Sequence, residues 1–467
     1  MGTPFPYQRE GARFLADRRY GALFDEMGVG KTCEAILACD LVQAASVLVV
    51  CPHIAMINWT REIAEWSPGS TYTVGSNDML LSQTGKRFLV VNYDLFSVPG
   101  QFYQSVVNAR FDVMILDECQ AIKNHGAKRT GNILSSKGAA RRAQRVWALS
   151  GTPCPNHPGE LYALLLAMFP EPLRLPDGTL MSYISFINRY CVVEDRDPPL
   201  PPKIIGARNM NALREMLRPF ALRRTLAQVL PELPPLRFST VTLDPGDVLA
   251  QMEAEHPEIE QIKTLLLAAQ EISDDGDDRN GVLANLLDNQ DQAMSLSTIR
   301  RLYGEAKAGL VGQWLAEELI FGGLDKVVIF FHHRAVATVL HAMLSNFGAM
   351  VIHGDIPPTI RQAAIDNFQS SKTCRVLLIQ LDIGHRAITL TAAAHVVFAE
   401  ASWIPTVNLQ AARRCARLGQ TRSVLARFMT LAGSLDEIIM RVVARKTAIL
   451  AQLFPDFEEA TDAVDAH

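Results

Sequence analysis

Asp25-Glu26-Met27-Gly28-Val29-Gly30-Lys31-Thr32 is the stretch that decides the fold. Tyr20-Gly21-Ala22-Leu23-Phe24 before it is short and mostly apolar and reads as a buried strand; Cys33-Glu34-Ala35-Ile36-Leu37-Ala38 after it is a good helix start. Strand, glycine-rich turn, Gly-Lys-Thr and helix together make a phosphate-binding loop. Gly28 and Gly30 let backbone N–H groups close around phosphate oxygens with no Cβ in the way. Lys31 supplies charge to the β- and γ-phosphates, the Thr32 hydroxyl a ligand for Mg²⁺, and the helix its positive end. Asp25 stands where the pattern G-x-x-x-x-G-K-[ST] has its first glycine. The loop specifies a nucleoside triphosphate and leaves open what its energy drives.

Outward from the loop, Ser46-Val47-Leu48-Val49-Val50-Cys51-Pro52 is a Val-rich run ending at a breaker, the mark of a central parallel strand. In the helical stretch that follows, Ile54, Ile57, Ile63 and Trp66 fit one face. Further strands are predicted at Arg87–Tyr93, Phe111–Leu116 and Arg145–Leu149. The second of these ends in Asp117-Glu118, placing two carboxylates at the sheet's carboxyl edge, where ligands of such sheets bind. Asp117 suits the Mg²⁺ sphere, and Glu118 suits orienting and deprotonating an attacking water. Upstream, Pro6–Leu15 reads as a helix with Phe14 and Leu15 inward, and its Tyr7-Gln8 pair can hold an adenine through the amide of Gln8. Alternation of strand and helix predicts a doubly wound α/β domain.

A chain of 467 residues suggests two or three domains, and 48% hydrophobic with 20% charged residues excludes wholesale disorder. The net charge of −4 argues for no polyanion partner overall, so any nucleic-acid surface must be a local patch. Two patches qualify, and each suits a solvated surface equally well. One is the run between Cys119 and Arg145, with seven Lys or Arg and no acid; the other is Arg208, Arg214, Arg218, Arg223 and Arg224. The eight cysteines form no C-x-x-C pair, so neither zinc nor a disulfide framework is indicated. With no signal-peptide core in Met1–Arg9 and no long apolar run, an intracellular, soluble protein without a membrane span is expected.

Pro231-Glu232-Leu233-Pro234-Pro235 is the candidate linker, and 271–291 holds seven acids against one Arg, an exposed excursion. The expected division is an ATP-binding lobe at 1–225, a linker with a helical and acidic insertion at 226–297, a second lobe at 298–457 and an acidic tail at 458–467. Strands of the second lobe are predicted at Lys326–Phe331, Arg375–Ile379, His395–Phe398 and Val424–Met429, with an amphipathic helix at Asp436–Leu453 and no second phosphate loop. Within Gln410-Ala411-Ala412-Arg413-Arg414-Cys415-Ala416-Arg417-Leu418-Gly419-Gln420, Arg414 and Arg417 share a face if the stretch is helical. Arginines donated from a second lobe can stabilise charge on a γ-phosphate.

The ordered set resembles the Swi/Snf-type, chromatin-remodeller branch of superfamily-two helicase-like ATPases over nearly the whole chain. The residues that carry the resemblance are Tyr7-Gln8, D-E-M-G-V-G-K-T at 25–32, V-C-P-H with N-W-T-R-E-I-A-E-W at 50–66, D-E-C-Q-A-I-K-N at 117–124, L-S-G-T-P at 149–153, L-R-R-T with V-L-P-E-L-P-P at 222–235, and the Gln410–Gln420 stretch. Phe331-His332-His333-Arg334 and Val397-Phe398-Ala399-Glu400 look most like the annealing-helicase, fork-remodelling subgroup. The resemblance implies an α/β protein of two tandem RecA-like lobes with a helical insertion between them. It implies ATP and Mg²⁺ as cofactors, and a monomeric, DNA-stimulated ATPase that tracks along double-stranded or forked DNA. By the family's motifs, Gln8 reads adenine and Gly28, Val29, Gly30, Lys31 and Thr32 cradle phosphate and Mg²⁺. Asp117 and Glu118 do the hydrolytic chemistry, and Arg414 and Arg417 close the site. Asp25 is then the family's own residue at its position. His385 and Ala387 depart from the family where glycines are expected, Arg413 where an acid is, and Ala416 where a His is. These departures motivate an alternative, a nucleotide-gated DNA clamp with little hydrolysis; RNA remodelling is a further one.

Overall fold

Val47, Leu48, Val49 and Val50 are all fully buried, as are Val113 to Leu116, so both faces of these strands are covered. That is why they read as continuous apolar runs rather than alternating ones. They belong to the larger sheet in the computed structural model, which describes residues 3–75, 85–98, 100–194, 203–256, 290–384, 388–402, 405–417 and 419–434. The chain divides into two units, Met1–Glu232 with Arg386–Ile388, and Leu233–His385 with Thr389–His467.

In the first unit the strands are β1 (Tyr20–Leu23), β2 (Ser46–Cys51), β3 (Thr71–Val74), β4 (Arg87–Asn92), β5 (Phe111–Asp117) and β6 (Ala143–Leu149). An antiparallel pair follows, β7 (Cys191–Glu194) with β8 (Lys203–Ala207), and then β9 (Ala221–Leu222). The main sheet has the order β3-β4-β2-β5-β6-β1-β9, every neighbouring pair parallel. Leu23 pairs with Leu149 and Leu149 with Asp117, so the chain leaves β1, β6 and β5 at one level. Only β6 separates β1 from β5, which puts the two strands roughly 10 Å apart. Helices α1 (Pro6–Ala16), α2 (Lys31–Leu41) and α3 (Met56–Trp66) contribute Leu15, Ile36, Trp59 and Ile63 to a core with Val47, Val49, Phe88 and Trp147. The buried face of α3 is Met56, Trp59 and Ile63. Ile54 and Ile57, expected to lead that face, are half-buried, because the helix proper starts only at Met56 after a tighter turn at His53–Ala55.

The second unit contains β10 (Leu236–Leu243), β11 (Val327–Phe331), β12 (Met350–Ile352), β13 (Val376–Gln380), β14 (His395–Phe398) and β15 (Val424–Leu431). Their order is β10-β15-β14-β11-β13-β12, again all parallel. The chain thus has two doubly wound parallel sheets, the fold of two RecA-like lobes. One boundary changes. The stretch 226–297 was expected to be linker and insertion, yet β10 pairs over its whole length with β15 and belongs to the second sheet. As an edge strand exposed at Arg237, Thr240 and Thr242, Leu-Arg-Phe-Ser-Thr-Val-Thr-Leu lacks the apolar run that marks a central strand. The helix Gln290–Phe321 also runs through the expected start at 298. Most of the acidic stretch 271–291, the amphipathic helix at 436–453, the tail at 458–467, and His385 and Ala387 lie outside the described residues. Among the described residues, no helix is long and apolar enough to cross a membrane.

Candidate active site

β1 runs directly into the glycine turn. Gly28 and Gly30 have φ of 93° and 103°, the left-handed region that side chains with a Cβ avoid, and α2 starts immediately after Gly30. A Cβ on Gly30 would also stand 2.3 Å from Gln8 Nε2. Lys31 Nζ donates to the carbonyls of Asp25 (2.6 Å) and Glu26 (3.0 Å), so the loop's only lysine is folded over the turn. Burial pushes its ammonium down to about 8, against the pull of Glu118, Asp25 and Asp117. Those opposing charges bring the β5 carboxylates and the loop into one electrostatic site. Helix α1 packs Tyr7 and Gln8 against the turn: the Tyr7 hydroxyl donates to Val29 O at 3.0 Å, and Gln8 Nε2 to the same oxygen at 3.4 Å. Gln8 Oε1 accepts from Phe5 N, so the amide that sequence assigns to adenine is buried and already engaged at both ends.

At the end of β5, Asp117 Oδ2 accepts from Trp59 Nε1 at 2.8 Å, and Asp117 O from the Tyr93 hydroxyl at 2.9 Å. Burial, then the neighbouring Glu118 charge, pushes the Asp117 carboxyl up to about 7; the Trp59 hydrogen bond and Lys31 hold it from rising further. Glu118 sits at φ 52°, ψ 54°, a left-handed backbone unusual for a residue with a side chain and of the kind stored at functional sites. Its Oε2 accepts from Gln120 Nε2 (2.8 Å), Gln120 Oε1 accepts from the Ser150 hydroxyl (2.7 Å), and Ser150 Oγ accepts from Thr152 N (2.9 Å). A hydrogen-bonded chain therefore joins Glu118 to the turn after β6. Gly151 in that turn faces the loop, since a Cβ there would lie 2.4 Å from Met27 Cγ. Trp59, Gln120 and Ser150 lie in motifs that carry the resemblance, but neither they nor Tyr93 are assigned a chemical role by sequence. Their contacts join positions far apart in the chain, apart from Gln120, which stands two residues after Glu118.

The residues present fit a nucleotide with its cation. A left-handed glycine turn at a helix start suits phosphate oxygens. Mg²⁺ bound through phosphates needs only one or two protein ligands, which Thr32 and Asp117 would supply.

The second unit holds Arg414 and Arg417. The helix Pro405–Ala412 ends before both, which corrects the expectation that they share a helical face. Arg413 N still donates four residues back to Leu409 O. Arg414 N and Cys415 N donate only three back, so the helix tightens into turns. Arg414 is buried and its carbonyl accepts from Leu390 N; Arg417 Nη1 donates to Thr389 Oγ1 at 3.1 Å. Gln420 locks the turn, its Nε2 donating to the carbonyls of Thr391, Ala393 and Cys415.

The basic stretches divide. Arg223 donates to the carbonyls of Phe24 and Gly151, and Arg224 pairs with Asp25 and Glu34, so both belong to the loop's surroundings. Of the run between Cys119 and Arg145, Lys123 pairs with Glu160, Arg129 with Asp94, and Arg145 donates to the carbonyls of Ala16 and Arg18. Lys128, Lys137, Arg141 and Arg142 are exposed. Lys128 starts the helix Lys128–Leu134, and the Arg141-Arg142 pair closes the turn Ala139–Arg142 just before β6.

Residues 7–277 match the SNF2-related domain, and residues 313–419 match the helicase conserved C-terminal domain. The SWI/SNF-related matrix-associated actin-dependent regulator of chromatin subfamily A-like protein 1 of Drosophila melanogaster is 28% identical over 455 residues, covering 96% of this chain and 55% of that protein. The DNA annealing helicase and endonuclease ZRANB3 of Bos taurus is 28% identical over 460 residues, covering 95% of this chain and 40% of that one. The chain thus spans about half the length of the curated relatives it matches. Among solved structures, the SWI2/SNF2 ATPase core of Sulfolobus solfataricus in complex with dsDNA is similar over 99% of this chain and 96% of that one, at 20% identity and a TM-score of 0.42. With more than half of its length matched by the first domain and the second domain following in order, the chain belongs to the SNF2-related, helicase-like family.

Proposed function

We propose that the protein is an ATP-dependent motor on double-stranded or forked DNA, a translocase or remodeller that anneals strands or remodels forks. The observation that carries the ATPase half is the shared site of Lys31 and Asp117-Glu118 at one edge of one sheet. In this reading Lys31 leaves the Asp25 and Glu26 carbonyls for the β- and γ-phosphates, and Thr32 and Asp117 hold Mg²⁺, which supplies charge neutralisation on the phosphates. Glu118, oriented by Gln120, accepts the proton of the attacking water. Gln8 borders the adenine, and Arg414 and Arg417 of the second unit are the candidate arginines for charge stabilisation. The DNA half draws on the relative named a DNA annealing helicase and on the exposed basic residues of the first unit.

The test is phosphate release with duplex, forked and single-stranded DNA and with RNA. Expected is stimulation many-fold above the DNA-free rate by duplex or fork DNA, lost in Lys31→Ala. Equal turnover with and without DNA sinks the motor reading, ATP-tightened DNA binding with negligible release means a clamp, and preferential stimulation by RNA moves the substrate class.

A further inference from the structure

Arg224 reaches the phosphate loop from the far end of the first unit's sequence. After β9 the chain runs alongside the loop: Phe24 N donates to Leu222 O at 2.8 Å, Glu26 N to Arg224 O at 2.9 Å, and Leu226 N to Glu26 Oε2. From this strap the Arg224 guanidinium turns back. Its Nε donates to both Asp25 oxygens at 3.2 Å, its Nη2 to Asp25 Oδ2 and, at 2.6 Å, to Glu34 Oε2, and its Nη1 to Tyr7 O. Asp25 and Glu34 are both fully buried, and Glu34 Oε1 has no hydrogen-bond partner among the described residues. Removing one member of such a buried set strands the others' charge.

Helix α1 carries an independent mark of the same contact. Glycine weakens a helix interior, yet Gly11 stands in the middle of α1. A Cβ at Gly11 would lie 1.6 Å from Glu34 Oε2 and 2.8 Å from Arg224 Nη2. The helix has given up a side chain so that the ion pair can pass beneath it.

The two carboxylates bracket the turn: Asp25 opens the loop and Glu34 sits in the first turn of α2. We propose that Arg224 is a positioning residue that clasps the loop's two ends, setting their separation and so the fit of Gly28–Thr32 around phosphate. Ion pairs this deeply buried contribute little net stability over an apolar replacement, which leaves fixing the loop's geometry as the use proposed for this one. The proposal rests on the loop being the nucleotide site, and it gives Asp25, in place of the usual glycine, a function.

The test measures binding of a fluorescent ATP analogue and steady-state ATP hydrolysis by the full chain, with thermal melting alongside. Arg224→Gln should weaken nucleotide binding and raise KM for ATP about tenfold, with kcat at saturation changed far less, because the loop is misplaced while the hydrolytic residues are left in place. Arg224→Lys should recover part of the loss by keeping one of the two pairs. Adding Asp25→Asn to Arg224→Gln removes the stranded Asp25 charge but leaves the clasp broken, so affinity should stay low; full recovery would make the stranded charge the lesion and overturn the proposal. Gly11→Ala should raise KM in the same way with Arg224 itself intact. If Arg224→Gln does not fold, Gly11→Ala and Arg224→Lys carry the test. Wild-type affinity in both Arg224→Gln and Gly11→Ala, or a fall in kcat at unchanged KM, overturns the proposal. Nucleotide binding absent from the wild type, or undiminished in Lys31→Ala, instead overturns the reading of the loop.

Discussion

At the carboxyl edge of the first sheet, β1 runs into a left-handed glycine turn and α2 starts from it, with Lys31 folded over the turn. At the same edge of the second sheet, β11 runs into His332-His333 and the helix Arg334–Leu344, and the chain's own Glu400 fills the comparable place. Glu400 Oε2 accepts from His332 N (2.7 Å) and His333 N (2.8 Å), and its Oε1 lies 2.6 Å from His333 Nδ1. Gly304 makes room for it, since a Cβ there would stand 2.4 Å from Glu400 Oε1. Backbone N–H groups at a helix start call for an anion. One unit answers with a permanent carboxylate, and the other presents glycine backbone and a lysine suited to an anion that comes and goes. On the proposed function, the difference separates a structural edge from a chemical one.

The sharpest way to break this contrast is at Glu118. If the first edge does chemistry, Glu118→Gln keeps nucleotide affinity and lowers phosphate release by about 10²- to 10⁴-fold, the usual worth of a general base. Single-turnover hydrolysis beside equilibrium nucleotide binding checks this, and an unchanged rate removes Glu118 from the mechanism. At the second edge Glu400→Gln should instead leave nucleotide affinity alone and cost about 1–3 kcal/mol of stability, because hydrogen bonds to a charged acceptor give way to weaker ones to a neutral amide. Burial raises the Glu400 carboxyl, but the hydrogen bonds from His333 and His332 outweigh it and hold it below the usual range. The stability that Glu400 contributes is therefore full above the ordinary carboxylate pKa of about 4.3 and is lost as pH falls through its depressed value. Denaturation of wild type and Glu400→Gln across pH should show curves that converge below roughly pH 4.

How much of this the residues disclose before folding depends on distance along the chain. Asp25 to Thr32 is legible because strand, turn, lysine and helix start are local, and Asp117-Glu118 because an apolar run ends on them. Trp59 on Asp117, Tyr93 on its carbonyl and Arg224 on Asp25 depend on contacts between distant segments, which no spacing rule reveals. Strands at the sheet edges were lost for a different reason. β3 is exposed at Thr71, Tyr72 and Val74, β9 has two residues, and β10 buries only Phe238, so none carries a buried apolar run. Arg413 to Arg417 read as helix from their composition, and the turn there is set by Gln420 bonding to Thr391 and Ala393, again a contact between segments.

Trp59 offers a smaller test of the first edge. Trp59→Phe keeps most of the buried ring while deleting the donor to Asp117 Oδ2, a net loss of about 1 kcal/mol or fivefold in turnover. An unchanged rate would mean that Asp117 needs no outside hydrogen bond to hold its place.

The smallest expected effects come from Lys128 and Arg129, neighbours in the run that sequence reads as one basic stretch. Arg129 is spent within the fold: its Nη2 donates to Asp94 Oδ1 and its Nε to the Ser97 hydroxyl, both at distances below 3 Å. Lys128 is exposed at the first residue of the helix Lys128–Leu134, a place where a cation opposes the helix dipole and gains nothing for the fold. On the proposed function, Lys128 is available to contact DNA phosphate. Lys128→Ala should therefore leave stability within about 0.5 kcal/mol of wild type while lowering the salt slope of DNA binding by about one unit. Arg129→Ala should do the reverse, costing about 0.2–1 kcal/mol because the pair is partly exposed, with the salt slope kept. DNA affinity titrated against salt for both variants, with melting measured in parallel, decides between them. Identical slopes in wild type and Lys128→Ala would return the whole run to solvated surface and leave the first unit's DNA contact to be sought elsewhere.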